Sequence, residues 1–338
     1  MAHAPRTTVH RTGRAGVLAI LGILVGATVV GAAVTDAATS GTGNDARARL
    51  NLIAPAGAGG GWDTAARELQ TSMRSSGIVN NPQVVNIPGA GGTIGLSQVA
   101  GMEGEASTMM VTGITMLGAI AINSSDSTLQ DVTPIARLAD DYDVVVVPAD
   151  SPIQDMEDLI EAWTANPATF AFGGGSLGSV DQMIISQLAR ESGISPSDVN
   201  YIAYSGGAEL ATSLLSGTIK ASVSGNTDFA PQVESGSLRA LAVSAPEPVE
   251  SIDLPTLVEL GYDVSLTNWR GIVAPPGITD EQRTELETIV SEAVETPEWQ
   301  SAVERNQWTD TFLVGDEFSR SLEAETEFVN GIWAELGY

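Results

Sequence analysis

The chain has no cysteine, one lysine (Lys220) and only two histidines, His3 and His10, in 338 residues. Without thiols there is no disulfide framework, no thiolate metal centre and no cysteine-borne lipid, so packing alone must hold the fold. Both histidines lie in the first ten positions, which puts a Ser-His-Asp triad and a histidine-ligated metal out of reach of the remaining chain. Positive charge is equally scarce: 15 Lys and Arg face 42 Asp and Glu, a formal net charge of -27. Nucleic acid, whose binding needs basic side chains on phosphates, is excluded as a partner. Aromatics make up 5% of the chain, whereas 36 glycines point to many tight strand-to-helix turns.

What is present begins with a segment unlike the rest. Arg6, Arg11 and Arg14 precede an uncharged apolar run from Ala15 to Val34, and small residues continue through Ala38. This is the order of a secretory signal peptide over residues 1–38, cleaved near Ala37 or Ala38. An uncleaved anchor is the alternative, because the run approaches the roughly 20 residues a spanning helix needs. Either way the remaining chain is expected outside the cytoplasm, in the periplasm or at the outer face of the cell membrane. Its length suits two ordinary domains, each with its own core.

Short β-branched runs alternate with amphipathic stretches, the pattern of βαβ units in a mainly parallel sheet. Strands are expected at Leu50 to Ala54, Val84 to Ile87, Thr108 to Thr112, Asp143 to Val147, Thr169 to Phe172, Val199 to Ala203, Ala221 to Ser224 and Leu238 to Val243. The clearest helices run Asp63 to Ser75, Asp155 to Thr164, Ser179 to Ser192, Ala208 to Leu215, Thr279 to Glu295 and Asp316 to Leu336.

Three strand ends share one chemistry. Gly57 to Asp63, Gly89 to Thr93 and Gly173 to Ser179 are each a glycine-rich turn leading into a helix. Such a turn exposes backbone N–H groups at a positive helix end, and the missing Cβ atoms let an anion approach closely. Ligands of open α/β sheets sit beyond the carboxyl ends of the strands, so several such loops imply one site where they converge.

Two catalytic motifs are present in form only. Gly174-Gly-Ser176-Leu-Gly178 matches a nucleophile elbow, but no histidine is left to serve as its base. Gly173 to Gly178 also fits G-x-G-x-x-G, yet the next strand ends in Tyr204-Ser205-Gly206-Gly207, where a dinucleotide site wants an acid. Asp140-Asp141-Tyr142-Asp143 lacks a spacing that would wrap an ion and reads as a solvated strand entrance. No enzyme activity, cofactor or metal is expected.

Taken in order, the glycine loops resemble the solute-binding subunits of tripartite tricarboxylate transporters, also called Bug-type receptors. The residues that carry the resemblance are Ala54-Pro55 with Gly59 to Asp63, Asn86 to Gly95, Gly173 to Ser176 with Gly178 to Asp181, Tyr201 to Gly207, Ser224-Gly225-Asn226, Leu238 to Val243 and Asn268 to Gly271. The resemblance implies an α/β, type 2 periplasmic-binding-protein fold. Its two lobes have mixed, mainly parallel sheets and are joined by two crossovers. The first lobe would comprise 47–143 plus 244–338, and the second 144–243. It further implies a ligand between the lobes, a small di- or tricarboxylate resembling citrate, with Gly60, Gly61, Trp62, Asp63, Gly91 and Thr93 on one wall. Ser176, Ser179, Tyr204 and Asn226 would form the other, with Thr112 and Gly113 at the rim and Arg270 offering a fork to a further carboxylate. Gln182 stands where many relatives carry histidine. The implied protein is a monomer that hands its ligand to the membrane subunits of such a transporter, or alternatively presents it to a membrane sensor kinase.

Overall fold

A computed structural model describes residues 45–337. The expected signal segment, 1–38, lies outside these residues. Among the described residues eleven strands are found: β1 (Leu50–Ala54), β2 (Pro82–Asn86), β3 (Thr108–Gly113), β4 (Thr133–Asp141), β5 (Asp143–Pro148), β6 (Ala171–Gly174), β7 (Asn200–Ala203), β8 (Ala221–Gly225), β9 (Leu238–Val243), β10 (Asn268–Ala274) and β11 (Leu313–Val314). Ten α-helices connect or cover them: α1 (Gly61–Ser75), α2 (Thr93–Ala100), α3 (Ile114–Asn123), α4 (Met156–Ala165), α5 (Val180–Glu191), α6 (Gly207–Leu215), α7 (Asn226–Glu234), α8 (Asp280–Val294), α9 (Pro297–Arg305) and α10 (Asp316–Leu336). None of the described helices is long and apolar enough to cross a membrane.

The strands form two mixed sheets, one per lobe. The first has the order β11-β4-β10-β3-β1-β2 and the second β7-β6-β8-β5-β9. In the first, β2, β1 and β3 are parallel, while β10, β4 and β11 run antiparallel to their neighbours. In the second, β7, β6 and β8 are parallel and β5 pairs antiparallel with both β8 and β9. Each of the parallel strands is followed by a helix, as a parallel pair requires a crossover; after β1, β2, β6 and β7 a glycine-rich turn intervenes, whereas β3 and β8 run directly into theirs. Strands β4 and β10 were not foreseen, because their charged and small residues break the apolar alternation.

The chain passes from the first sheet to the second through one residue, Tyr142, and returns through the segment between Val243 and Asn268. Ser244 ties the two passages: its hydroxyl accepts the Asp143 N–H at 3.1 Å and donates to the Leu266 carbonyl at 2.8 Å. Asn268 adds a bond to the Asp143 carboxylate at 3.1 Å. Here the expectation of a solvated strand entrance is corrected. Asp140, Asp141, Tyr142 and Asp143 are all buried, Asp143 completely, because two strands from different sheets meet end to end between layers of helices.

An apolar core runs on from the first lobe into the second, where Trp163 packs on Phe172 with ring centres 4.5 Å apart. A second cluster, including Leu210, Leu214 and Phe229, fills the opposite face of the second sheet. The lobes also touch at a glycine pair. A Cβ placed on Gly118, in α3, would stand 2.1 Å from the carbonyl oxygen of Gly178, in the third glycine loop. Alanine ordinarily stabilises a helix by roughly 1 kcal/mol over glycine. In Gly118→Ala the clash is with backbone, so the expected outcome is reversed: a loss on the order of 1–3 kcal/mol, seen as a lower Tm in calorimetry. A raised Tm would mean that the lobes do not meet at this point.

Candidate functional site

The six junctions between the parallel strands and their helices all reach one cleft between the lobes, with a volume of about 470 Å³. On the first wall, the loop after β1 brings Gly60, Gly61 and Trp62 to the cavity, the loop after β2 brings Gly89 to Gly92, and α3 brings Thr115 in its first turn. On the second wall stand Gly175, Ser176, Ser179 and Asp181 after β6, Tyr204 to Gly207 after β7, and Gly225, Thr227 and Asp228 after β8. The cavity also receives Asp141, Asn268 and Arg270 from the crossover strands. Each helix opens here with backbone N–H groups that have no carbonyl partner within the helix, together with the positive end of its dipole.

The second loop is the most constrained of these turns. Gly89, Ala90, Gly91 and Gly92 have φ of 133°, 48°, 60° and 91°, a run that side chains resist. A Cβ on Gly91 would lie 2.4 Å from the Ala119 methyl, and one on Gly92 2.6 Å from the Trp62 ring. The loop is therefore packed closely between α3 and Trp62 while its residues line the cavity. Behind the first loop, Asp63 accepts the Gly59 N–H and the Arg67 Nε–H, both at 2.8 Å, and the Asn86 amide, also at 2.8 Å. Burial opposes its charge, but these donors prevail and hold its carboxyl below the usual range.

Of the residues expected at the site, Gly60, Gly61, Trp62, Gly91, Ser176, Ser179, Tyr204 and Arg270 line the cleft. Asp63, Thr93, Thr112, Gly113 and Asn226 do not. Asp63 is turned under its own loop by the bonds just described. Thr93 donates to the Ala90 carbonyl at 2.9 Å, and Thr112 is fully buried against the Met116 sulfur. Gly113 is pressed on the Trp269 carbonyl, 2.4 Å from where a Cβ would stand. Asn226 reaches out of the cleft to bond Gln307 at 2.6 Å. Trp269 is core, edge-on to Phe318 with the Arg137 guanidinium 5.5 Å from its ring centre.

Sequence reasoning missed the acids. Asp141 pairs with Arg270 in a short, buried contact, and Arg270 also lies over the Trp308 ring at 5.9 Å. Asp181 accepts the Gly175 N–H at 2.6 Å, and Asp228 accepts the Ser224 hydroxyl at 2.8 Å. Burial raises the carboxyls of Asp141 and Asp228, against the pull of Arg270, and raises Asp143 well above the usual range, aided by the charges of Asp181 and Asp141. Burial pushes Asp181 up to about 6 despite the Gly175 N–H. The apolar flanks of Asp140 to Asp143 were the signal available for this burial.

A carboxyl raised in the folded state is costless while protonated in both states and destabilises progressively as pH climbs from about 4 to about 6. Asp181→Asn keeps an oxygen for the Gly175 N–H and removes the charge. It is expected to raise Tm more at pH 7.5 than at pH 4, by roughly 2–3 kcal/mol at full effect, a displacement read from calorimetric melts of both proteins. An equal change at both pH values would contradict the burial of an ionised Asp181.

The family described as tripartite tricarboxylate transporter family receptor matches residues 64–313. A UPF0065 protein in the gbd 5' region of Cupriavidus necator is 26% identical over 292 residues, 85% of this chain and 87% of that one. Among solved structures, the periplasmic binding protein BugD superposes with a TM-score of 0.77 at 23% identity, over 86% of this chain and 97% of its own. R. palustris Rpa4515 with adipate gives 0.78 at 21% identity, over 86% and 97%.

Proposed function

The chain belongs to the tripartite tricarboxylate transporter receptor family, and from that membership we propose that it is an extracytoplasmic receptor that closes its lobes on a small di- or tricarboxylate and delivers it to the membrane subunits of a tripartite transporter. It is a solute-binding receptor rather than an enzyme. The observation that carries the choice of ligand is the meeting of the starts of α1 and α3 and the Gly89–Gly92 turn at one wall, with Arg270 beside them. The adipate bound to R. palustris Rpa4515 supports a linear dicarboxylate.

A carboxylate held by these amides gains charge-assisted hydrogen bonds once water is excluded, whereas the same amides lose little when solvated in the open state. A ligand bridging both walls has a higher affinity for the closed than for the open form, which is the requirement for driving closure. Asp181 and Asp228 on the second wall limit how much negative charge fits. A dianion such as adipate is therefore preferred to trianionic citrate. Delivery follows if the membrane subunits favour the open form.

Gly61 sits against the Arg270 guanidinium, its Cβ position 2.7 Å from Nη2. Gly61→Val is expected to push Arg270 aside, cover the helix end and weaken dicarboxylate binding at least tenfold in calorimetry, with circular dichroism unchanged. Wild-type affinity for adipate, malate and citrate retained in this variant would refute the placement of the ligand.

A further inference from the structure

The lobes are joined by a polar contact that belongs to neither wall of the cleft. Gln307, in the turn between α9 and β11, has φ of 53°, in the left-handed region that a side chain disfavours. The turn is fastened to the first lobe. Trp308 packs on Trp299 with ring centres 5.8 Å apart, the Gln307 N–H donates to the Glu304 carbonyl at 3.2 Å, and Thr309 exchanges two backbone bonds with Asp140, at 2.8 and 2.9 Å. The side-chain amide reaches the other lobe: its Oε1 accepts an Nδ2–H of Asn226 at 2.6 Å, and its Nε2 donates to the Ser251 carbonyl at 2.8 Å.

Both partners belong to the second lobe and stand at its crossings. Asn226 opens α7, and its own N–H is held at 3.0 Å by the carbonyl of Tyr142, the residue through which the chain leaves the first sheet. Ser251 lies on the return passage next to Ile252, a member of the second lobe's apolar cluster. One amide therefore links a turn of the first lobe to both passages at once. The bonds are made with the cleft walls in contact. The Thr115 hydroxyl of the first wall accepts the Val180 N–H, beside the second, at 3.4 Å, and a Cβ on Gly91 would lie 3.4 Å from the Ser176 hydroxyl oxygen. Turning the lobes apart about the passages moves Asn226 and Ser251 against a turn fixed to Asp140, and hydrogen bonds tolerate little such displacement.

We propose, resting on the receptor function above, that Gln307 is an interlobe latch, a positioning residue that stabilises the closed form without touching the ligand. A ligand that prefers the closed form is held in proportion to how far the protein itself favours that form. The latch thus slows the release of every ligand alike, while the cleft keeps the choice among them. The left-handed turn aims the amide across the crossing, which gives a disfavoured φ its reason to persist.

The lack of cysteine lets closure be measured without a ligand. In the full chain carrying Thr115→Cys and Val180→Cys, the rate of disulfide formation under a mild oxidant reports how often the walls meet, and Gln307→Gly is expected to slow it about fivefold. Glycine adopts this φ freely, so the Tm of ligand-free Gln307→Gly is expected not to fall. In the chain without added cysteines, stopped-flow tryptophan fluorescence is expected to show adipate, malate or citrate leaving Gln307→Gly about fivefold faster. Adding Asn226→Ala to that variant should change release no further, because both substitutions remove one bond. Unchanged trapping would overturn the latch, and so would unchanged release, a fall in Tm or additive effects of the two substitutions. Slowed trapping in a chain that binds none of the three acids would uphold the latch and overturn the receptor function instead.

Discussion

Parallel pairing is the constraint on which the rest depends. Strands β2, β1 and β3 run one way, and so do β7, β6 and β8, so the carboxyl ends of each trio share an edge. Six helices consequently start at those edges, and the two crossover passages turn the edges toward a common space. No single loop makes the site. Glycine's role is to let each turn be short enough to keep its helix start at the rim, as in the four consecutive positive-φ residues from Gly89 to Gly92.

This arrangement explains how a chain of net charge -27 can offer an anion a place. Charges on the outer surface are screened over about 8–10 Å in physiological salt, while dipoles at the cavity act at contact distance. Each helix start carries the equivalent of about half a positive charge. At α5 and α7 that potential is already used by Asp181 and Asp228, whose retention in a buried place it helps to sustain. The starts of α1 and α3 reach the cavity without an acid facing it. The Asp141–Arg270 pair joins β4 and β10, the strands at which the two crossover passages leave and re-enter the first sheet.

Much of the scaffold was legible because its signals are local. The strands Leu50–Ala54 and Leu238–Val243 and the helix Asp316–Leu336 have the bounds read from periodicity, and the glycine turns marked the strand ends facing the cleft. Strand β4, by contrast, reads TPIARLADD, and its charges are tolerated inside only because Arg137 binds Asp140 at 2.6 Å and Arg270 binds Asp141. The second of these pairings joins residues 129 positions apart and leaves no periodic trace. Within the site, the loops were identifiable but the direction of single side chains was not. Asp63 and Asp181 occupy similar places near helix starts, yet one is drawn under its loop by Arg67 and Asn86 while the other faces the cavity. Rotation of the helix about its axis, fixed by core packing, decides which.

The shared edge of helix starts is tested most directly by amide NMR of the ¹⁵N-labelled protein titrated with the tightest-binding acid. Amides that grip a carboxylate are deshielded, so convergence requires downfield shifts of Gly61, Gly91 and Trp62 that saturate together at one dissociation constant. Unmoved resonances at these three positions in a protein that binds its ligand would place the acid elsewhere and contradict the role assigned to the glycine turns.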